Sequence, residues 1–101
     1  MAKLDIRIPH ALAQEEALTR IQGLLKKLQQ EQKGTITNVS EKWNGNEGEF
    51  SFNAKGFELS GTLSVLEKEV IVNGQLPFAL SFFKGMISQV IQEKAGELLA
   101  P

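Results

Sequence analysis

The sequence predicts a two-layer α+β sandwich in the order β-α-β-β-β-β-α, with a five-stranded, mainly antiparallel sheet and two helices on one face. Three observations lead there. Apolar residues alternate with polar ones in the first eight residues and repeatedly between residues 35 and 76. Helical spacing replaces alternation in two stretches, one after the first strand and one at the end. The links between the later strands are short and rich in turn residues, so neighbours in sequence pair as an antiparallel meander.

In the first strand Leu4, Ile6 and Ile8 face one way and Lys3, Asp5 and Arg7 the other, and Pro9 stops it. From about His10 the spacing is helical, with Ala17, Ile21, Leu24 and Leu28 on one stripe and Leu18 and Leu25 beside it. Glu15 and Glu16 near the start, and Lys26, Lys27 and Lys33 near the end, suit the helix dipole. Gly34 is a natural stop, and Gly23 is the weak point, at a cost of ~1 kcal/mol relative to alanine.

Thr35 to Trp43 reads as the second strand, but Ile36 and Val39 fall on opposite faces, which predicts a bulge or bend. Asn44-Gly45 is a strong hairpin signal. Phe50, Phe52 and Ala54 then point inward, followed after Lys55-Gly56 by Phe57, Leu59, Leu63 and Val65. Gly61 falls on the apolar face, where the missing side chain lets the sheet curve or a helix come close. After the Glu67-Lys68 turn, Val70 and Val72 continue the inward set. Strand one runs opposite to strand five, so the sheet closes in the order 1-5-4-3-2. The absence of repeats, linkers and low-complexity stretches predicts a single domain over residues 1–101.

Pro77 suits the first turn of a final helix from Phe78 to Leu99. Ser81, Lys84, Ser88, Gln89 and Gln92 make a narrow polar stripe, and Phe78, Phe82, Phe83, Met86, Ile87 and Val90 are among the apolar residues on the rest of the girth. A helix that covers one sheet face needs an apolar stripe little over ~100° wide. This one exceeds that, so contact from a second side is expected. Phe82 and Phe83 point ~100° apart, which lets one ring face the sheet and the other a neighbour. Gly85 in mid-helix would be explained by another backbone approaching closely. The candidate interface or apolar binding residues are therefore Phe78, Phe82, Phe83 and Met86, with Lys84 at the rim.

Composition narrows the chemistry. The chain has 101 residues, 42% hydrophobic and 23% charged, with a net charge of -1, one histidine and no cysteine, as in an ordinary small globular domain. Near-zero charge argues against nucleic acid as a partner. The absence of cysteine removes thiol nucleophiles and thiolate metal sites, and fits a reducing compartment. The charged, alternating start lacks the apolar run of a signal peptide. Val70 to Gln92 carries only Lys84 as a charge, but Asn73, Gly74, Gln75 and Pro77 divide it into a strand and a helix, so no transmembrane segment is expected.

His10 has no evident serine beside it, and its place at a strand-to-helix junction suits a turn or capping role. Glu15 and Glu16 diverge on a helix, while Glu67 and Glu69 share a solvated face, so no metal site is expected. The Gly45-Asn46-Glu47-Gly48 run lacks the following helix of a phosphate loop. Trp43 is read as packing at the edge of the core. No enzymatic signal and no cofactor emerge.

The opening Ile6-Arg7-Ile8-Pro9-His10-Ala11-Leu12, with Glu15-Glu16-Ala17 and Arg20-Ile21, resembles the start of the polyhydroxyalkanoic acid system proteins. The closing Leu76-Pro77-Phe78, Phe83-Lys84-Gly85-Met86-Ile87 and Glu93-Lys94 resembles the end of the same family. The resemblance, to a family with some members associated with polyhydroxyalkanoate storage genes, implies a bacterial cytoplasmic protein with a link to polyester granules, and supplies no catalytic residues. Two functional expectations follow. One is a non-enzymatic accessory or binding protein whose last helix offers an apolar surface to a twin subunit, a protein partner or a granule. The other is a carrier of small acyl or lipid ligands with a shortened helix-grip-like fold, its cavity lined by Phe50, Phe52, Leu59, Leu63 and Met86.

Overall fold

The computed structural model describes residues 2–31, 34–54 and 56–100. Its elements are β1 (Ala2–Pro9), α1 (Gln14–Ile21), α2 (Leu24–Glu31), β2 (Ile36–Asn44), β3 (Glu47–Ala54), β4 (Phe57–Val65) and β5 (Glu69–Leu76). A 3-10 segment (Phe78–Phe83) and α3 (Lys84–Leu99) follow. The strands form one antiparallel sheet in the order β1-β5-β4-β3-β2, as the alternation implied. Lys33 and Lys55, assigned to a helix end and a turn from the sequence, lie outside the described residues.

Period-two patterning sets the faces. Leu4, Ile6 and Ile8 on β1 are buried, as are Phe50 and Phe52 on β3, and Lys3, Asp5 and Arg7 are exposed. Leu59, Leu63, Val65, Val70, Val72 and Leu76 complete the inner face of the sheet. The expected irregularity in β2 is a register shift between Thr37 and Ser40, with Asn38 at a φ of 54°. The β2–β3 hairpin pairs Asn44 with Glu47 and carries Gly45 at a φ of 66°, positive backbone at the first central position of the turn. Gly61 stands between Phe50 and Gly74 in the register. A Cβ on Gly61 would come within 2.1 Å of the Asn73 carbonyl oxygen and 2.8 Å of Phe50 Cζ, so the close approach requires glycine.

The helical layer departs from the sequence reading in two places. The first helix begins at Gln14 rather than His10 and breaks at Gln22-Gly23, where the Gly23 N–H donates to the Arg20 carbonyl at 3.1 Å, three residues back. The break falls at the weak glycine, and both halves bury their apolar stripes: Ala17 and Ile21 on α1, Leu24, Leu25 and Leu28 on α2. The last helix is not one α-helix. Its first six residues are 3-10, the Leu80 N–H donating to the Pro77 carbonyl at 2.9 Å, and α-helix begins only at Lys84. Within the 3-10 segment Leu80 alone is buried.

The second half of α3 is anchored. Ile91, Ala95 and Leu99, spaced four apart, are buried, and α3 packs on β1, α1 and α2. An ion-pair zipper joins it to α2: Lys27 Nζ meets Glu97 Oε2 at 2.9 Å, and Lys94 Nζ meets Glu31 Oε2 at 3.0 Å. These contacts hold the Lys94 ammonium above its ordinary range, chiefly through the Glu31 hydrogen bond, and the Glu97 carboxyl below its own through the Lys27 hydrogen bond. Arg20 donates to the Leu98 and Ala100 carbonyls at the end of α3 and also pairs with Glu16 at 2.9 Å. The first half of α3 stands more open to water: Lys84, Gly85, Met86 and Gln89 are exposed. Within the chain nothing described comes close to Gly85: a Cβ there would meet nothing within 4 Å among the described residues.

Candidate functional site

The site lies at one end of the sandwich, where the chain leaves β5 through Pro77. The fixed φ of proline (-54° here) ends the strand, and the short 3-10 rise turns the next residues across the open end of the two layers. Three residues per turn cannot place every aromatic of Phe78-Ala79-Leu80-Ser81-Phe82-Phe83 inward, and Leu80 takes the core position. Phe78 is 78% and Phe82 92% exposed, with Phe83 at 40% and Met86 at 54%. Lys84, also exposed, follows at the start of α3. The structure thus brings the sequence-predicted residues to one corner.

Behind Phe83 and Met86 lies an apolar cleft of about 400 Å³. Its floor is Leu28, Phe52, Leu59 and Ile91; Ile36 and Ala54 contribute from the strand ends, Ile87 and Val90 from α3, and Leu80 from the 3-10 segment. Among the described residues, Thr35 brings the only side-chain oxygen in the lining. Of the residues expected to line a carrier cavity, Phe52, Leu59 and Met86 do so. Phe50 and Leu63 do not: both are buried in the core, where they border a void of about 10 Å³. Side chains on the middle of the sheet's inner face are consumed by packing, and among the described residues the larger opening between the layers lies at the end of the sandwich.

The polar candidates are engaged in holding the fold. The Leu12 N–H donates to His10 Nδ1 at 3.2 Å, so Nδ1 is the acceptor and Nε2 carries the proton donated to the Leu66 carbonyl at 3.0 Å. With the His10 N–H also donating to the Lys68 carbonyl, this residue clips the β1–α1 connection to the β4–β5 turn. Gln14 does the same through Nε2 to the Val65 carbonyl at 2.9 Å. Trp43 donates from Nε1 to Glu41 at 2.9 Å and packs against the core with its ring over Gly48. Glu69 pairs with Arg7 at 3.3 Å. Among the described residues no three metal-ligating side chains gather, and no helix is long and apolar enough to cross a membrane.

A two-layer α+β protein with one polar sheet face and an apolar cleft at an open end is the class that this fold and site define. The chain belongs to the family described as "putative polyhydroxyalkanoic acid system protein", whose family model matches residues 4–99. Among solved structures, the crystal structure of TTHA0849 from Thermus thermophilus is similar at 11% identity, over 97% of this chain and 90% of that one, with a TM-score of 0.32. No curated protein matches the sequence.

The sequence reading missed the cleft walls supplied by Leu28, Ile36, Ala54, Ile87 and Val90. No local signal marks them, because each sits on an apolar stripe that looks like ordinary core. The 3-10 segment had a faint signal in its excess of aromatics immediately after Pro77.

Proposed function

We propose that this protein is a non-enzymatic, cytoplasmic accessory protein of polyhydroxyalkanoate storage, acting as one domain over residues 1–101 and docking on the polyester surface through Phe78, Phe82 and Met86. The observation that carries this reading is two phenylalanine rings on neighbouring turns left 78% and 92% exposed. Isolated exposed apolar residues are ordinary, but a cluster of large ones points to an interaction surface. Family membership supplies the polyester as the apolar surface to consider first. Each ring, once covered, contributes about 1.5–3 kcal/mol, set against the entropy lost on association. Exposed Lys84 keeps a charge beside the rings, in water at the rim.

Co-sedimentation with washed poly(3-hydroxybutyrate) granules tests this. The wild-type chain is expected in the pellet, the Phe78→Glu/Phe82→Glu variant in the supernatant, and Leu66→Glu in the pellet. Leu66 is also exposed but lies at the opposite end of β5. Equal pelleting of all three defeats the proposal. So does a solution mass showing a dimer that the double substitution splits, because the rings would then cover a second copy.

A further inference from the structure

We infer that the cleft behind Phe83 and Met86 is a binding site for one alkyl chain whose polar head stays at the mouth. This goes beyond surface docking, because it concerns a concavity and not the outward rings. Size comes first. About 400 Å³ lies within the ~300–1,000 Å³ typical of small-molecule pockets. A cleft of that volume holds a chain of several methylenes.

Chemistry narrows the class. Every described side chain in the lining is apolar except Thr35, and none is ionisable. A polar head drawn inside would exchange its hydration for largely apolar walls, so the head stays at the mouth, where a hydroxyl or ester oxygen can share a hydrogen bond with Thr35. The buried side chains of Leu28, Phe52 and Ile91 form the inner wall, and the separate void of about 10 Å³ on which they also border is too small to lengthen the site.

The cleft stays open for a reason visible in the chain. The 3-10 segment sends Phe78 and Phe82 outward, and β3 ends in Ala54, whose methyl group fills little of the space. A bulky residue at position 54 would occupy the cleft from within.

Binding of 1-hexanol, 1-octanol and 1-decanol, followed by methyl NMR of the full chain, tests this. Affinity should rise about fourfold per methylene, with shifts centred on Leu28, Ile36, Leu59, Ile87 and Val90. Ala54→Phe should weaken 1-decanol binding at least tenfold, and Ile87→Phe, filling from the opposite wall, should do the same if the first variant does not fold. Phe82→Glu should leave 1-decanol binding unchanged, so loss of docking and loss of the alkyl site are separable results. Absence of 1-decanol binding, or undiminished binding in the filled variants, would each overturn the inference.

Discussion

Two residues of the same 3-10 segment, two positions apart, should respond oppositely to truncation. Leu80 is 5% exposed and belongs to the main apolar cluster, whereas Phe82 is 92% exposed. Leu80→Ala removes a packed side chain, a change that costs about 2–5 kcal/mol in a closed core. Leu80 borders the open cleft, so its vacated space is continuous with solvent-accessible volume and leaves less of an empty cavity. The lower part of the range, about 2–3 kcal/mol, is therefore expected. For a domain of this size that lowers Tm by about 10–20 °C.

Phe82→Ala removes a larger side chain but almost no contact, and should change stability by less than about 0.5 kcal/mol. Its cost should appear in granule binding, where loss of one covered ring is worth about 1.5–3 kcal/mol, a factor of about 13–160. Urea unfolding of both variants, paired with granule co-sedimentation, reads the two effects separately. A loss of more than about 1 kcal/mol in Phe82→Ala would mean that the ring is packed in solution, and the account of this corner would be wrong. Near-wild-type stability in Leu80→Ala would show that the 3-10 segment is not held by its one buried residue.

Other outcomes follow from the clips and the zipper. His10→Ala deletes two side-chain hydrogen bonds to backbone groups and should cost about 1–2 kcal/mol in urea unfolding, leaving granule binding by the folded protein intact; loss of binding at full stability would instead give the imidazole a direct role. The Glu97 carboxyl, held below its ordinary 4.5, stabilises the fold at pH values above 4.5 and loses that contribution as pH falls through its folded value. Lys94, held above 10.5, contributes fully below 10.5 and loses its contribution as pH rises past its folded value. The wild-type urea midpoint should therefore fall more steeply than that of Glu97→Gln on going from pH 5 to pH 3, and parallel curves would refute the zipper's role.

Much of the architecture is legible in the linear chain because burial on a strand repeats every two residues and a misplaced register would turn every apolar side chain to water. Leu4, Ile6 and Ile8 declare their face, Ile36 and Val39 betray the bulge, and Asn44-Gly45 marks the hairpin. The candidate residues Phe78, Phe82, Phe83 and Met86 were also legible, since their helical stretch carries more apolar girth than one sheet face accommodates. Their individual exposures were not. On an ideal α-helix Phe78 and Phe82 would share a face, and nothing local says that both would stand in water.

Alternation, spacing and turn chemistry specify the strands, the β2–β5 meander and the helix-covered face, because these depend on side chains near one another in sequence; β1 beside β5 joins distant segments, and only the strand directions pointed to it. The break at Gln22-Gly23, the change from 3-10 to α at Lys84 and the cleft were settled by packing. Each depends on how residues distant in the chain compete for the same volume. Leu80 prevails over two phenylalanines for the core position, and α2, β2, β3, β4 and α3 must meet before a space between them exists. A void is a property of surfaces that fail to close, and no single segment encodes it.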